Sequence, residues 1–376
     1  MTQQTLEPLV EVENLRVEFD VRAGVVKAVD GLNMTIYRGR TLGVIGESGC
    51  GKSVTARAIL NMIPKPGKIT SGEIRYHRQA KQLRGENGHS TKTDVVTINE
   101  LHPDGEVIRQ IRGGEIGMIF QEPMSSLTPV YTAGTHIGEA VSLHRLSATK
   151  KVGDQIAANV AAARKVDRDE AREIAIEMLR KVGIPKPTER VDNYPHQLSG
   201  GQRQRVMIAV ALSTEPSMLI ADEPTTALDV SIEAQILDIM RELQGSVNMA
   251  IMFITHNLGV VANMAHEIVV MYMGKAVERA TVSDLFYNPK HPYTQSLLKS
   301  IPRLGEKKTG ERLASISGMV PDPFNLPTGC VFHPRCPAVM MGKCDKIAPS
   351  WTKVGEDHWV SEDHWVSCLL YEEVGA

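Results

Sequence analysis

Several residues in this chain have the types and spacing needed for phosphate chemistry. Gly46-Glu47-Ser48-Gly49-Cys50-Gly51-Lys52-Ser53 fits G-x-x-x-x-G-K-[ST]. In such a loop the backbone N–H groups cradle phosphates, the lysine reaches the β and γ oxygens, and the Ser53 hydroxyl is a Mg2+ ligand. Asp222 ends the apolar run Met218 to Ala221 and so stands at a sheet edge, where its carboxylate would bind the ion directly or through water. Glu223, one residue on, is placed to act as general base toward an attacking water. Gln121 closes a second apolar run, Ile116 to Phe120, and its amide would reach both metal and water. His256 follows a third, Ile251 to Thr255, and would hydrogen-bond a γ-phosphate. Hydrolysis of a nucleoside triphosphate is mostly positioning and charge stabilisation, and each of these motifs supplies one part of it.

The elements that must carry these groups are legible from pattern. Thr41 to Ile45 reads as a buried strand running into the glycine loop, with a helix behind it over Val54 to Met62. Strand, loop and helix in that order are the context a phosphate loop needs, because the helix N-terminus adds its positive dipole end to the amide nest. Val95 to Ile98 is the one strand expected within the polar stretch 76–114, which reads as an elaborated loop or small hairpin. From Pro123 to Ala211 the pattern turns helical. Ile156 to Val166 and Glu170 to Val182 are its clearest stretches, the second stopped by Gly183 with Pro185 beyond. Ser199 opens a further helix, Gln204 to Leu212, as N-cap of Leu198-Ser199-Gly200-Gly201-Gln202, and the glycines let backbone N–H groups approach an anion. Met218 to Ala221 and Ala250 to Thr255 are core strands flanking a helix over Val230 to Leu243. Alternating strands and helices imply an α/β fold with a mainly parallel sheet and its ligand at the strand C-termini.

The bulk properties narrow the class. A chain of 376 residues suits one large domain with an appendage. A net charge of −2 gives no basic field to attract nucleic acid. The first ten residues lack the features of a signal peptide, and no apolar run approaches the roughly 18–20 residues that span a bilayer. After about Ala280, prolines recur and long elements break up, leaving a loop-rich segment that cannot bury much surface alone and needs a staple.

The ordered set of motifs resembles the ATP-binding subunits of ABC transporters. That resemblance implies a P-loop NTPase of ABC type, with a mixed β-sheet core over residues 1–280 and a helical subdomain at about 123–211. It implies ATP and Mg2+ as ligands and a γ-phosphate clamped between Lys52 of one chain and Ser199, Gly200, Gly201 and Gln202 of a second. It also implies a dimer-sensing loop at Asp229 and an aromatic from the first strands, here Phe19, stacked on adenine. Tyr194 to Ala209, Phe120 to Pro129, His291-Pro292-Tyr293-Thr294 and Leu326 to Cys330 with Arg335-Cys336 are similar to the oligopeptide/dipeptide permease group. The expected activity is therefore ATP hydrolysis driving binding-protein-dependent uptake of peptides. The implied partners are a second ATPase subunit (this chain or a sister), two integral membrane permease subunits and an extracytoplasmic substrate-binding protein. The implied location is peripheral, on the cytoplasmic face of the inner membrane. Opines, oligosaccharides or nickel are alternative cargoes, and a soluble ABC ATPase of repair or translation is an alternative class. Asn257 departs from the group's usual aspartate.

Cys330, Cys336, Cys344 and Cys368 crowd the loop-rich segment 281–376 with spacing C-x5-C-x7-C-x23-C. Clustering of this kind in a cytosolic chain points to metal or redox chemistry rather than disulfides. The spacing fits neither the tight pairs of structural zinc sites nor the common ferredoxin runs. The permease resemblance implies a [4Fe–4S] cluster, with zinc or free thiols as alternatives. Gly355 to Val360 is nearly repeated by Ser361 to Val366, which lengthens the gap before Cys368.

Overall fold

The computed structural model describes residues 6–79, 93–120, 151–164, 167–226, 228–300, 316–355 and 364–372. The chain forms two compact units. The first comprises Met1–Val10, Ile36–Thr41 and Tyr76–Ile254; the second comprises Glu11–Thr35, Leu42–Arg75 and Thr255–Ala376.

Three parallel strands build the first unit: β6 (Ile116–Ile119), β7 (Met218–Asp222) and β8 (Ala250–Ile254), in the order β8-β7-β6. All are buried along their length, as continuous apolar runs in a parallel sheet should be. Helix α2 (Val152–Arg164) packs against α3 (Arg168–Lys181), and both touch α4 (Gly200–Leu212). Val152, Ile156 and Val160 form the buried stripe of α2, so this alanine-rich segment is a packed helix and not only a good helix former. Helix α3 stops as its sequence predicts. Gly183 takes φ +72, and the Ile184 N–H reaches back to the Leu179 carbonyl at 2.9 Å. Helix α5 (Val230–Val247) joins β7 to β8.

In the second unit, β3 (Thr41–Ile45) lies parallel to β9 (Glu267–Tyr272), and β9 turns back through Met273-Gly274 into antiparallel β10 (Lys275–Thr281). Helix α1 (Lys52–Ile59) follows β3, and α6 (Leu258–Met264) precedes β9. The long strands β1 (Pro8–Val21), β2 (Gly24–Tyr37) and β4 (Gly67–Gln79) form a separate sheet in the order β2-β1-β4, with β5 (Thr93–Thr97) beside β4. Strand β4 extends over residues 76–79 into the stretch expected to be loop or hairpin. Residues 80–92 of that stretch and 123–150 of the expected helical region lie outside the described residues.

The C-terminal segment docks on the second unit by continuing its sheet. Strand β12 (His364–Val366) pairs antiparallel with β10, and β11 (Thr352–Gly355) pairs with β12. Helices α7 (Val282–Tyr287) and α8 (Pro292–Lys299) connect it to the sheet. Phe332, Val331 and Leu369 enter the same apolar core as Tyr272, Leu285 and Tyr293. The Phe332 ring sits 5.2 Å from Tyr272 and 5.3 Å from Tyr293, both edge-on, the arrangement aromatic quadrupoles favour.

One buried carboxylate fixes this docking. Glu278 of β10 is wholly inaccessible and accepts from the Lys290 N–H (2.7 Å), the His291 N–H (2.9 Å) and His364 Nε2 (2.7 Å). Truncation would leave these buried donors without an acceptor, at about 1–3 kcal/mol each. Glu278→Ala is expected to lower stability by roughly 3–5 kcal/mol. Limited proteolysis should then cut first between α8 and β12, and denaturant titration gives the magnitude.

Candidate functional site

The glycine loop 46–53 of the second unit, the candidate phosphate loop, is held open by its glycines and closed by its lysine. Gly46 takes φ +152 and Gly51 φ +104; a Cβ at Gly46 would lie 2.2 Å from the Met271 carbonyl oxygen, and one at Gly51 2.4 Å from that of Ala28. Lys52, only 8 % exposed, donates to the Gly46 carbonyl at 2.8 Å and to the Glu47 carbonyl at 2.9 Å. Its ammonium also lies 3.7 Å from the Cys50 sulfur. Cys50 points inward, and burial pushes its thiol pKa up, so it fills space beneath the loop as a neutral group. Ser53 is half-buried in the first turn of α1.

Helix capping distinguishes α1 from the longer helices α3, α4 and α5 and from α6. Asp167, Ser199, Asp229 and Asn257 each accept backbone N–H groups at the start of α3, α4, α5 and α6. No side chain caps α1, whose N-cap is Gly51. The amides left over at a helix start are the donors an anion requires.

The first unit carries the carboxylates. Asp222 ends β7 and is 1 % exposed. The ladder continues one step beyond it, with the Glu223 N–H bonded to the Ile254 carbonyl at 2.8 Å. Glu223 stands at φ +50, a conformation few non-glycine residues adopt and one that clusters at functional sites. Its carboxylate is half-buried and accepts from Thr226 Oγ1 at 3.1 Å. Behind it, Thr225 donates to Glu233 of α5 at 2.6 Å.

Ser199 caps α4 as its sequence predicts. The Gln202 N–H donates to Ser199 Oγ (3.3 Å) and the Ser199 N–H to the Gln202 side-chain oxygen (3.1 Å), a reciprocal capping box. Gly200 has open space around it. Two contacts were not visible in the sequence. The buried Gln204 donates to the Pro224 carbonyl and so ties α4 to the loop after Glu223, and Asp229 caps α5 by accepting the Ile232 N–H at 3.0 Å. Asp229 directly before the apolar Val230 that opens α5 is the signal that would have found the second.

The remaining candidates fall as follows. His256 is exposed directly after β8, and Asn257 caps α6 through the Gly259 and Val260 N–H groups at 3.1 and 3.4 Å. Asn and Asp cap helices equally well, so the departure at 257 keeps this local role. Phe19 is half-buried on β1 with its ring edge against Gly67. Gln121 lies outside the described residues. Within the second unit, Cys330, Cys336, Cys344 and Cys368 line one small cavity together with His291, Phe332 and Leu369. Burial raises the thiol pKa of Cys330, Cys336 and Cys368, the last to about 11, and the neighbouring cysteines add to the rise. Among the described residues, no group of three or more His, Cys, Asp or Glu side chains is arranged to hold a metal ion.

Residues 29–226 match the ABC transporter family model. The chain belongs to the ABC transporter family. Residues 277–344 match the model for the oligopeptide/dipeptide transporter C-terminal region. A putative peptide import ATP-binding protein of Brucella abortus (strain 2308) is 44 % identical, over 98 % of this chain and 99 % of its own length. The dipeptide transport ATP-binding protein DppD of Bacillus subtilis (strain 168) is 42 % identical over 95 % and 94 %. DppD of Escherichia coli (strain K12) is 41 % identical over 88 % of each chain. Among solved structures, the dimeric ATP-binding cassette MJ0796 bound to ADP and phosphate shares the fold, with TM-score 0.57 at 22 % identity, covering 73 % of this chain and 99 % of its own.

The loop geometry yields a direct expectation. A methyl group at position 51 meets backbone, not a flexible side chain, so Gly51→Ala must displace the loop. MgATP affinity should fall more than tenfold while far-UV circular dichroism stays unchanged, as read by nucleotide titration of the full chain.

Proposed function

We propose that this chain is the ATP-hydrolysing motor subunit of an importer for oligopeptides or dipeptides. The observation that carries the reading is the full-length likeness to peptide-import ATP-binding proteins, which includes the C-terminal segment as well as the ATPase. Residues 1–280 form the ATP-binding domain and 281–376 the permease-type tail. The motor closes as a dimer on ATP and passes its motion to two integral membrane permease subunits, which receive cargo from an extracytoplasmic binding protein. No helix among the described residues is long and apolar enough to cross a membrane. By likeness to peptide-import ATP-binding proteins, the reading places the chain peripherally, on the cytoplasmic face.

Residues 46–53 hold the nucleotide phosphates, with Phe19 against the adenine and Ser53, Asp222 and Gln121 toward Mg2+. The ion supplies charge neutralisation for the transferring phosphoryl group. Glu223 takes the proton of the attacking water, His256 hydrogen-bonds the γ-phosphate, and Ser199 to Gln202 meet the phosphate held by the partner subunit. The open surround of Gly200 and the capping box support that last role, because the α4 start is rigid and uncrowded.

The tail cysteines suit an iron–sulfur cluster by donor type alone, since four soft thiols are among the residues lining one small cavity. Cys330, Cys336, Cys344 and Cys368 would hold it, with zinc the alternative occupant.

Glu223→Gln removes the base and keeps the shape. Turnover should fall by about 10^2- to 10^4-fold while ATP binding persists and an ATP-bound dimer accumulates, as seen by gel filtration. Hydrolysis at the wild-type rate would exclude Glu223 as base. An anaerobic affinity pull-down in mild detergent should recover two integral membrane proteins with the chain and about four irons per tail. Soluble repair or ribosomal partners would overturn the transport reading, and zinc in place of iron would overturn the cluster.

A further inference from the structure

Glu47 is an awkward residue for a loop that binds a polyanion, and its surroundings in the second unit deal with that. The Arg335 guanidinium meets the Glu47 carboxylate with two hydrogen bonds, of 2.7 and 3.1 Å. The arginine side chain is 4 % exposed and the glutamate 25 %. Arg335 is itself fixed: Nε donates to the Ser317 carbonyl at 3.2 Å, one terminal nitrogen lies 3.3 Å from the Tyr272 hydroxyl, and the guanidinium carbon lies 5.9 Å from the Tyr272 ring centroid. The Glu47 N–H donates to the Tyr293 hydroxyl at 2.9 Å, and its carbonyl accepts from Lys52. Every polar group of Glu47 is thus held, two of them by residues beyond position 290.

We propose that Arg335 is a positioning residue of the phosphate loop: it neutralises Glu47 and fixes its orientation, so that the cysteine-bearing segment sets the affinity for nucleotide. The inference rests on reading residues 46–53 as the phosphate loop. A carboxylate one residue from Gly46 repels a triphosphate unless a cation compensates it, and a planar two-pronged contact compensates charge and fixes geometry together. Without Arg335 the bare carboxylate faces the incoming anion in a partly desolvated setting, where a like charge several ångströms away weakens binding by about tenfold.

This predicts a rescue that simple loss of structure would not produce. Arg335→Gln in the full chain should raise the Kd for MgATP about tenfold with little change in kcat at saturation. Adding Glu47→Gln to that variant should restore affinity to within about twofold of Glu47→Gln alone. Arg335→Lys keeps the charge without the two-pronged contact and should fall between wild type and Arg335→Gln. Wild-type affinity in both Arg335 variants overturns the proposal, as does a double variant that binds as weakly as Arg335→Gln. Lys52→Ala, titrated alongside, separates the two levels. Undiminished binding there would sink the phosphate-loop reading and this inference with it. Loss of binding there, with Arg335→Gln unaffected, would sink the inference alone.

Discussion

A loop that binds phosphate through its backbone must leave amide hydrogens unsatisfied by the protein and still hold one shape. These demands conflict, because unsatisfied donors cost free energy and ordinarily drive a chain to rearrange. Here the conflict is settled by dividing labour. Helix α1 begins at a glycine with no side-chain cap, whereas α3, α4, α5 and α6 are capped by Asp167, Ser199, Asp229 and Asn257. Rigidity comes instead from groups outside the nest: Lys52 bridges two loop carbonyls, Tyr293 takes the Glu47 amide, and Arg335 takes its carboxylate.

The carboxylate side follows a different logic. Asp222 and Glu223 are consecutive, and an ordinary strand would point them to opposite faces. The left-handed backbone at Glu223 breaks that alternation, while its N–H still completes the ladder to β8. The strained residue is held by what surrounds it: Thr226 on its carboxylate, Thr225 on Glu233, and Gln204 on the Pro224 carbonyl. Gln204 lies only two residues after the α4 capping box, so this bond ties the helix start to the carboxylate loop.

What the sequence made legible is local. The strand before the phosphate loop, the stop of α3 at Gly183 and the cap at Ser199 are each written within a few consecutive residues, because backbone geometry and capping are short-range. The site contacts that escaped pair distant residues. Glu47 and Arg335 are separated by 288 positions, and Glu278 and His364 by 86. In the sequence Arg335 is legible only as the neighbour of Cys336 in the permease-type tail, and Glu47 only as a member of the glycine loop. Only the fold brings them together. Strand β4 overlaps the stretch read as loop only over residues 76–79, where polar residues such as His77 and Arg78 hide a strand whose partner β1 lies far off in the chain.

The C-terminal segment shows why the loop-rich composition misleads about stability. Short loops broken by prolines cannot assemble a core, and the cysteines look like the only available fastening. The segment instead borrows a core: Phe332 is fully buried between Tyr272 and Tyr293, a contribution of about 2–3 kcal/mol, and β12 extends the sheet through β10. Docking by burial, ladder and the Glu278 network relieves the four cysteines of sole responsibility for the fold. Phe332 lies between Cys330 and Cys336 and lines their cavity while touching the same tyrosines that hold Arg335 and Glu47. The cysteine cavity and the contacts that hold Glu47 thus share one aromatic cluster of Tyr272, Tyr293 and Phe332.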